Sequence, residues 1–404
     1  MPALSPSRSP ALSSQPATRR ILLVAGEDSG DAHGADVVSA LRNRAPQLEV
    51  FGVGGQALRA AGMRTLVDSA AIAGMGLFEA SDKVGNLIRA YRQLSALLRS
   101  RPPDLLVLID FPEFNLRVAK IAKQAGVPVF YYISPQVWAW RRRRVYTIAE
   151  RVDQLAVVFP FEPDFYAAHG CSVEFVGHPL VDRVRATRPR QDTLRRYGLD
   201  PDRPTTALLP GSRAQELRYL LPPLLGAATQ LGPACQAVLA LAPSLDRAAV
   251  EAQLARERIG PSQVRVVQGD TYNLVHAADL AVVASGTATL ETALLERPMV
   301  IVYRMAPLTY ALARLFVDVP FIGMPNLIAE RRVVPELIQG AVTPDRIVHE
   351  VRRLLDSRQA YSVAQHGLRE VRRRLGDGGA AERTAGLILD MLEKSSRLGA
   401  ACSP

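Results

Sequence analysis

The sequence holds almost no lysine. Lys83, Lys120, Lys123 and Lys394 are four of its 49 basic residues, and arginine supplies the other 45. Alanine and leucine are abundant beside it, so coding bias accounts for much of the imbalance. The formal charge of +10 at pH 7 therefore points only weakly to anionic partners. Cysteine is as sparse. Cys171, Cys235 and Cys402 are odd in number and far apart, which excludes a disulfide framework or cysteine metal site and fits a reducing cytosol. No two histidines have metal-ligand spacing, and neither a P-loop nor a G-x-S-x-G elbow occurs. Long apolar runs are missing too. The uncharged stretch Tyr219–Leu245 is cut by Pro222, Pro223, Pro233 and Pro243, so it reads as a helix, a turn and the strand Gln236–Leu241. The first 18 residues, MPALSPSRSPALSSQPAT, lack the apolar core of a signal peptide and are expected to be a disordered tail.

What is present is an alternation of short apolar runs with amphipathic stretches. With 404 residues, 48% of them hydrophobic, the chain can bury the cores of two or three domains. Buried parallel strands are predicted at Ile21–Ala25, Val50–Val53, Leu105–Ile109, Val129–Ile133, Leu155–Phe159 and Val173–Val176, with helical patterns between them. The pattern lapses over the polar, Pro-bearing stretch Arg183–Pro204, an expected interdomain linker. It restarts with Thr206–Leu209, Gln236–Leu241, Val264–Val267, Leu280–Ala284 and Met299–Val302, and ends in helices. This predicts an α/β fold of two Rossmann-like doubly wound domains facing a cleft, with C-terminal helices. The expected bounds are a tail at 1–18, domains at 19–185 and 186–350, and helices with a tail at 351–404.

Chemistry concentrates where strands end. Gly26-Glu27-Asp28-Ser29-Gly30-Asp31 follows the first strand; Ser29 or Asp31 suits a helix cap, and three carboxylates suit a polar uncharged ligand better than a pyrophosphate. Asp110 ends the apolar run LLVLI just before Pro112, where partial burial would raise its pKa towards that of a general base; a helix-capping Asp is the plainer alternative. The run from Trp138 to Arg144 holds both tryptophans and four arginines. Alone, it fits a nucleic-acid surface, a solvated helix start or an anionic substrate surface. In the second half, Pro210-Gly211-Ser212-Arg213 offers backbone N–H groups and a guanidinium fork to a diphosphate. The small-residue turn Ser285-Gly286-Thr287-Ala288-Thr289 opens a helix N-terminus to phosphate, and Glu291 could accept from ribose hydroxyls. His178 ends a strand at the expected cleft. Asp200-Pro201-Asp202 is turn chemistry rather than a metal site.

These segments together resemble the lipid A disaccharide synthase family, inverting glycosyltransferases of the GT-B class. The likeness spans roughly Arg20 to Glu393. It rests on GEDSGD (26–31), FGVGG (51–55), MGLFE (75–79), IDFPEFN (109–115), SPQVWAWRRRR (134–144), FPFE (159–162), FVGHP (175–179), LLPGSR (208–213), SGTATLE (285–291) and MPNLIA (324–329). Phe111 and Glu113 depart from the family pattern, where a smaller residue and an Asp are expected, and Asp28 adds an acid. The resemblance implies condensation of UDP-2,3-diacylglucosamine with 2,3-diacylglucosamine 1-phosphate to the β-1′,6-linked disaccharide 1-phosphate, releasing UDP without a metal or other cofactor. It implies Asp110 as the base. Arg213, Ser285, Gly286, Thr287, Thr289, Glu291 and Asn326 would serve UDP, and Glu27, Ser29, Gly30 and His178 the sugars. It also implies peripheral association with the anionic inner face of the inner membrane, a homodimer and no nucleic-acid partner. For the lipid surface, Leu87, Ile88, Tyr91 and Leu94, interleaved with Arg89 and Arg92, fall near helical spacing. By composition alone a core-facing helix explains that stripe better; acylated substrates favour the membrane.

Overall fold

In the computed structural model the described residues are 18–72, 80–314, 317 and 319–401, with no side-chain description for 80–83 and 396–401. The tail, the MGLFE motif and Cys402 lie outside them, apart from residue 18. Among the described residues thirteen strands form two sheets. They are β1 (Arg20–Ala25), β2 (Glu49–Gly54), β3 (Arg64–Asp68), β4 (Leu105–Ile109), β5 (Val129–Tyr132), β6 (Gln154–Val157), β7 (Glu174–Phe175), β8 (Thr205–Leu209), β9 (Gln236–Leu241), β10 (Val264–Gln268), β11 (Leu280–Ala284), β12 (Met299–Tyr303) and β13 (Glu336–Ile338). The apolar runs at β1, β4, β8 and β11 are buried almost throughout, as expected of strands covered on both faces. β3 and β13 were not foreseen. Each is a short strand at a sheet edge, without a continuous apolar run.

The order of strands fixes where ligands can bind. The first sheet runs β3-β2-β1-β4-β5-β6-β7 and the second β10-β9-β8-β11-β12-β13. In each, the winding reverses between two central parallel strands: β1 beside β4, and β8 beside β11. In open α/β sheets ligands bind beyond the carboxyl ends of such strands, where diverging loops leave a crevice. The loops after β1, β4, β8 and β11 are those beginning at Gly26, Asp110, Pro210 and Ser285.

The chain forms two compact units. One runs to Tyr132 and takes in Arg151–Asp153 and the segment from Thr384; the other comprises Ile133–Glu150 and Gln154–Arg383. The polar stretch after Arg183 is held within the second unit. Thr187 and Arg188 donate backbone N–H groups to Asn273 Oδ1 at 2.8 and 3.0 Å, and Arg190 pairs with Asp279 at 3.0 Å. A helix, Arg190–Arg196, follows at once. Hydrophobic periodicity misses such an anchor because its contacts are polar. Pro222 and Pro223 sit inside the helix Ala214–Leu231, which ends at Gly232 before β9.

Candidate functional site

The first unit builds one corner from the loops after β1 and β4. Asp110 and Phe111 both have left-handed backbones, φ 46° and 48°. Non-glycine residues adopt this conformation at a cost of about 1–3 kcal/mol each, so something must hold it. Tyr131 Oη donates to the Asp110 carbonyl at 2.5 Å, and buried Asn115 Nδ2 donates to it at 2.6 Å. Phe111 then precedes the helix Pro112–Gln124, with Pro112 at its first turn. The result leaves Asp110 half-buried, its carboxyl pushed up to about 6 by desolvation first and by the negative charge of Glu27 second. Glu113 faces solvent.

The loop after β1 divides its acids by task. Glu27, Asp28 and Ser29 are exposed, whereas Asp31 is buried. Asp31 accepts from the backbone N–H groups of Gly55 at 2.5 Å and Ala57 at 2.8 Å, capping the helix Gln56–Ala60. Neither it nor Ser29 caps its own helix, whose N-cap is Glu27 without a side-chain bond. Gly30 is buried against Ala25 and Ile109 with room for a methyl group. Gly26 has none: a Cβ there would overlap the Phe111 ring. The bulkier residue at 111 thus occupies the space that glycine leaves.

In the second unit the loops after β8 and β11 are open. Gly211, at φ 106°, lets Glu216 fold back and accept from the Ser212 N–H at 2.8 Å. Arg213 N-caps the helix Ala214–Leu231, and its side chain, 82% exposed, reaches only a 3.8 Å pairing with Glu216. After β11, Gly286 at φ 153° has open space where a side chain would be and N-caps the helix Thr287–Leu294. Thr287 is exposed. Thr289 is buried and turns its hydroxyl back to the Gly286 carbonyl at 2.7 Å, while Ser285 Oγ donates to the Ile322 carbonyl at 3.0 Å. No acid occupies this first helical turn, so its N–H groups present unopposed positive potential. Glu291 is half-buried, its pKa raised by desolvation, with Tyr272 Oη donating to Oε1 at 2.9 Å.

Asn326 occupies a different kind of place. It is fully buried, donates to the Val334 carbonyl and Glu336 Oε1, and accepts from the N–H groups of Val333 and Val334, all at 2.8–3.0 Å. Both amide donors and both acceptor positions are used. Its side chain therefore braces the loop beneath the Ser285 turn. Glu336 completes the brace by accepting from the Ile322 and Gly323 N–H groups. Sequence reasoning missed Tyr272, Glu216 and Glu336, whose partners are set by folding alone, and the FPFE motif by itself assigns Glu162 no role.

His178 is buried, its ring 5.2 Å from that of Phe159, with Nδ1 accepting from the Leu180 N–H at 3.2 Å. Nearby, Trp138 lies edge-on to Phe159 and Phe161. Glu162 is fully buried and accepts from the Val158 and Phe159 N–H groups at 3.1 and 2.8 Å. Burial still pushes its carboxyl up to about 7. The helix Ala80–Ser100 shows two faces: Leu94 and Leu98 are fully buried, and Tyr91 meets the Phe114 ring edge-on at 6.4 Å. Leu94 therefore belongs to the core and not to a lipid surface, and Tyr91 packs inward. Leu87 is half-buried; Ile88, Arg89 and Arg92 are exposed. Among the described residues no helix is long and apolar enough to cross a membrane, and no three His, Cys, Asp or Glu residues gather as a metal site.

Comparison with known proteins adds to this geometry. A family model described as lipid-A-disaccharide synthetase matches residues 21–385. A lipid-A-disaccharide synthase of Geobacter metallireducens is 46% identical over 379 residues, covering 93% of this chain and 98% of the relative. One of Myxococcus xanthus is 45% identical over 376 residues, covering 92% and 97%. Among solved structures, a putative UDP-N-acetylglucosamine 2-epimerase from Listeria monocytogenes superposes with a TM-score of 0.64 at 14% identity, covering 94% and 98% of the two chains. The calicheamicin glycosyltransferase CalG4 gives 0.61 at 17%, covering 93% and 99%, and MurG of Acinetobacter baumannii 0.57 at 14%, covering 92% and 99%. At such identities these structures establish the fold, that of the GT-B glycosyltransferases.

Proposed function

The chain belongs to the lipid-A-disaccharide synthetase family, and on that basis we propose how its residues carry out the glycosyl transfer. It is a glycosyltransferase forming the lipid A disaccharide, from UDP-2,3-diacylglucosamine and 2,3-diacylglucosamine 1-phosphate. The Asp110 carboxylate takes the proton of the acceptor 6-hydroxyl. That oxygen then bonds to the donor's anomeric carbon while the carbon–oxygen bond to UDP breaks, its electron pair leaving with the diphosphate. A single direct displacement inverts the anomeric centre. The observation that carries this reading is the half-buried Asp110, held at the switch point with its pKa near that of a working base.

The second unit receives the leaving group. Diphosphate oxygens accept from the open helix N-terminus at Gly286–Thr287 and from the Arg213 guanidinium, which replace a metal ion as the stabilising charge. Ser285 and Thr289 shape that turn, and Asn326 braces it from below. Glu291 accepts from ribose hydroxyls, with Tyr272 fixing its carboxylate. Glu27, Ser29 and Gly30 serve the sugars from the first unit, and His178 serves them from the second. No nucleic acid takes part; the acylated sugars are the partners, met at the inner face of the inner membrane by a homodimer, with Ile88, Arg89 and Arg92 towards the lipid. The test is a product assay with both acylated substrates, with and without a chelator. Disaccharide 1-phosphate and UDP in equal amounts, unaffected by chelation, are expected. No disaccharide would overturn the activity, and a loss restored by Mg²⁺ would overturn the metal-free route.

A further inference from the structure

We propose that the second unit carries its own bilayer-docking surface, formed by the helix Pro307–Arg314, Val317 and the turn Trp140–Arg144, and that its partner is an anionic phospholipid surface. The helix PLTYALAR has no buried residue. Leu308 and Leu312, one turn apart on a single face, are 74% and 53% exposed. An eight-residue helix is marginal in water alone and normally owes its stability to burying one face. Here that face points outward. Val317 donates its N–H to the Ala313 carbonyl at 2.9 Å and forms an antiparallel bridge with Trp140. Both side chains are exposed, so the apolar residues join across two separate segments.

Positive charge surrounds the same patch. Arg141, Arg142 and Arg143 are exposed and, with Arg144 and Thr147, line an open cavity of about 450 Å³. The Arg141 guanidinium lies 4.5 Å from the centre of the Trp140 ring, and exposed Arg304 and Arg314 flank the helix. Leucines to enter the acyl boundary, a tryptophan for the headgroup level and arginines for phosphates are the parts of an interfacial anchor. A second copy is the poorer partner, because two such patches brought face to face would oppose arginine with arginine. The proposal rests on the reading that the substrates are membrane lipids, and goes beyond it by assigning a lipid contact to the unit that does not contain the helix Ala80–Ser100.

The test is flotation of the full chain with vesicles of phosphatidylcholine alone or mixed with phosphatidylglycerol. Leu308→Ser with Leu312→Ser is expected to weaken binding to the anionic vesicles about tenfold, at unchanged melting temperature and unchanged turnover of detergent-dispersed substrates. Arg143→Glu is expected to reduce the preference for anionic over neutral vesicles. Wild-type vesicle binding by the double-serine variant would overturn the proposal. So would a dimer that those serines split, seen by light scattering, while vesicle binding persists. Turnover in detergent reports on the glycosyltransferase reading separately, since it needs no bilayer.

Discussion

Asp110 and Glu162 are both carboxylic acids that burial pushes towards neutral pH, yet they occupy opposite kinds of place. Asp110 is half-buried at the end of a central strand, beside a second acid, on a backbone held in an unfavourable conformation. Glu162 is sealed among Trp138, Phe159 and Tyr166, and one of its oxygens already serves two backbone N–H groups. A raised pKa is common to a proton-transfer group and a structural acid. Access separates them: the first is partly open to solvent and only protein touches the second.

The contrast can be broken, the largest expected effect first. Asp110→Asn should cut turnover at least about 100-fold with little change in melting temperature, measured by product assay and thermal unfolding. A comparable loss in Glu162→Gln at unchanged stability would erase the distinction. Glu162→Ala should instead cost about 2–4 kcal/mol of stability, by orphaning two buried N–H groups and leaving a cavity, read from urea unfolding.

Two smaller effects concern pH. The base must be ionised to act, so kcat/KM should rise with pH through about 6. Glu27→Gln removes the neighbouring charge that resists this ionisation, so the midpoint should move down, by less than about one pH unit; an upward shift would refute the coupling. For Glu162 the folded protein holds its proton more tightly than the unfolded chain does. Its contribution is therefore complete below the unfolded pKa and is lost as pH rises to about 7. Glu162→Gln should flatten the fall in melting temperature over that interval, and an unchanged slope would place the titration elsewhere.

The same contrast shows what a sequence makes legible. The two wound sheets could be read because β1, β4, β8 and β11 are apolar runs buried on both faces, and hydrophobicity records burial directly. The place of Asp110 at a strand end could be read because it follows one of those runs immediately. The edge strands β3 and β13 could not, since half-exposed strands leave little apolar trace. Leu94 and Leu98 show a further limit: periodicity reveals that a helix has an apolar stripe, but only the neighbouring helix Pro112–Gln124 decides whether that stripe meets protein or lipid. The partners of Asn326 and Glu291 could not be read either: Asn326 bonds to a loop several residues on, and Tyr272 holds Glu291 from a helix that gives no local sign of it.

Gly26 and Phe111 are 85 residues apart in the chain, but the ring fills the volume that a side chain at 26 would claim. Any replacement at 26 must wait until 111 has become small, and a small residue at 111 leaves a hollow under the loop that bears Glu27. The two positions are therefore coupled by volume, and a substitution that changes one alone disturbs the corner on which Asp110 is mounted.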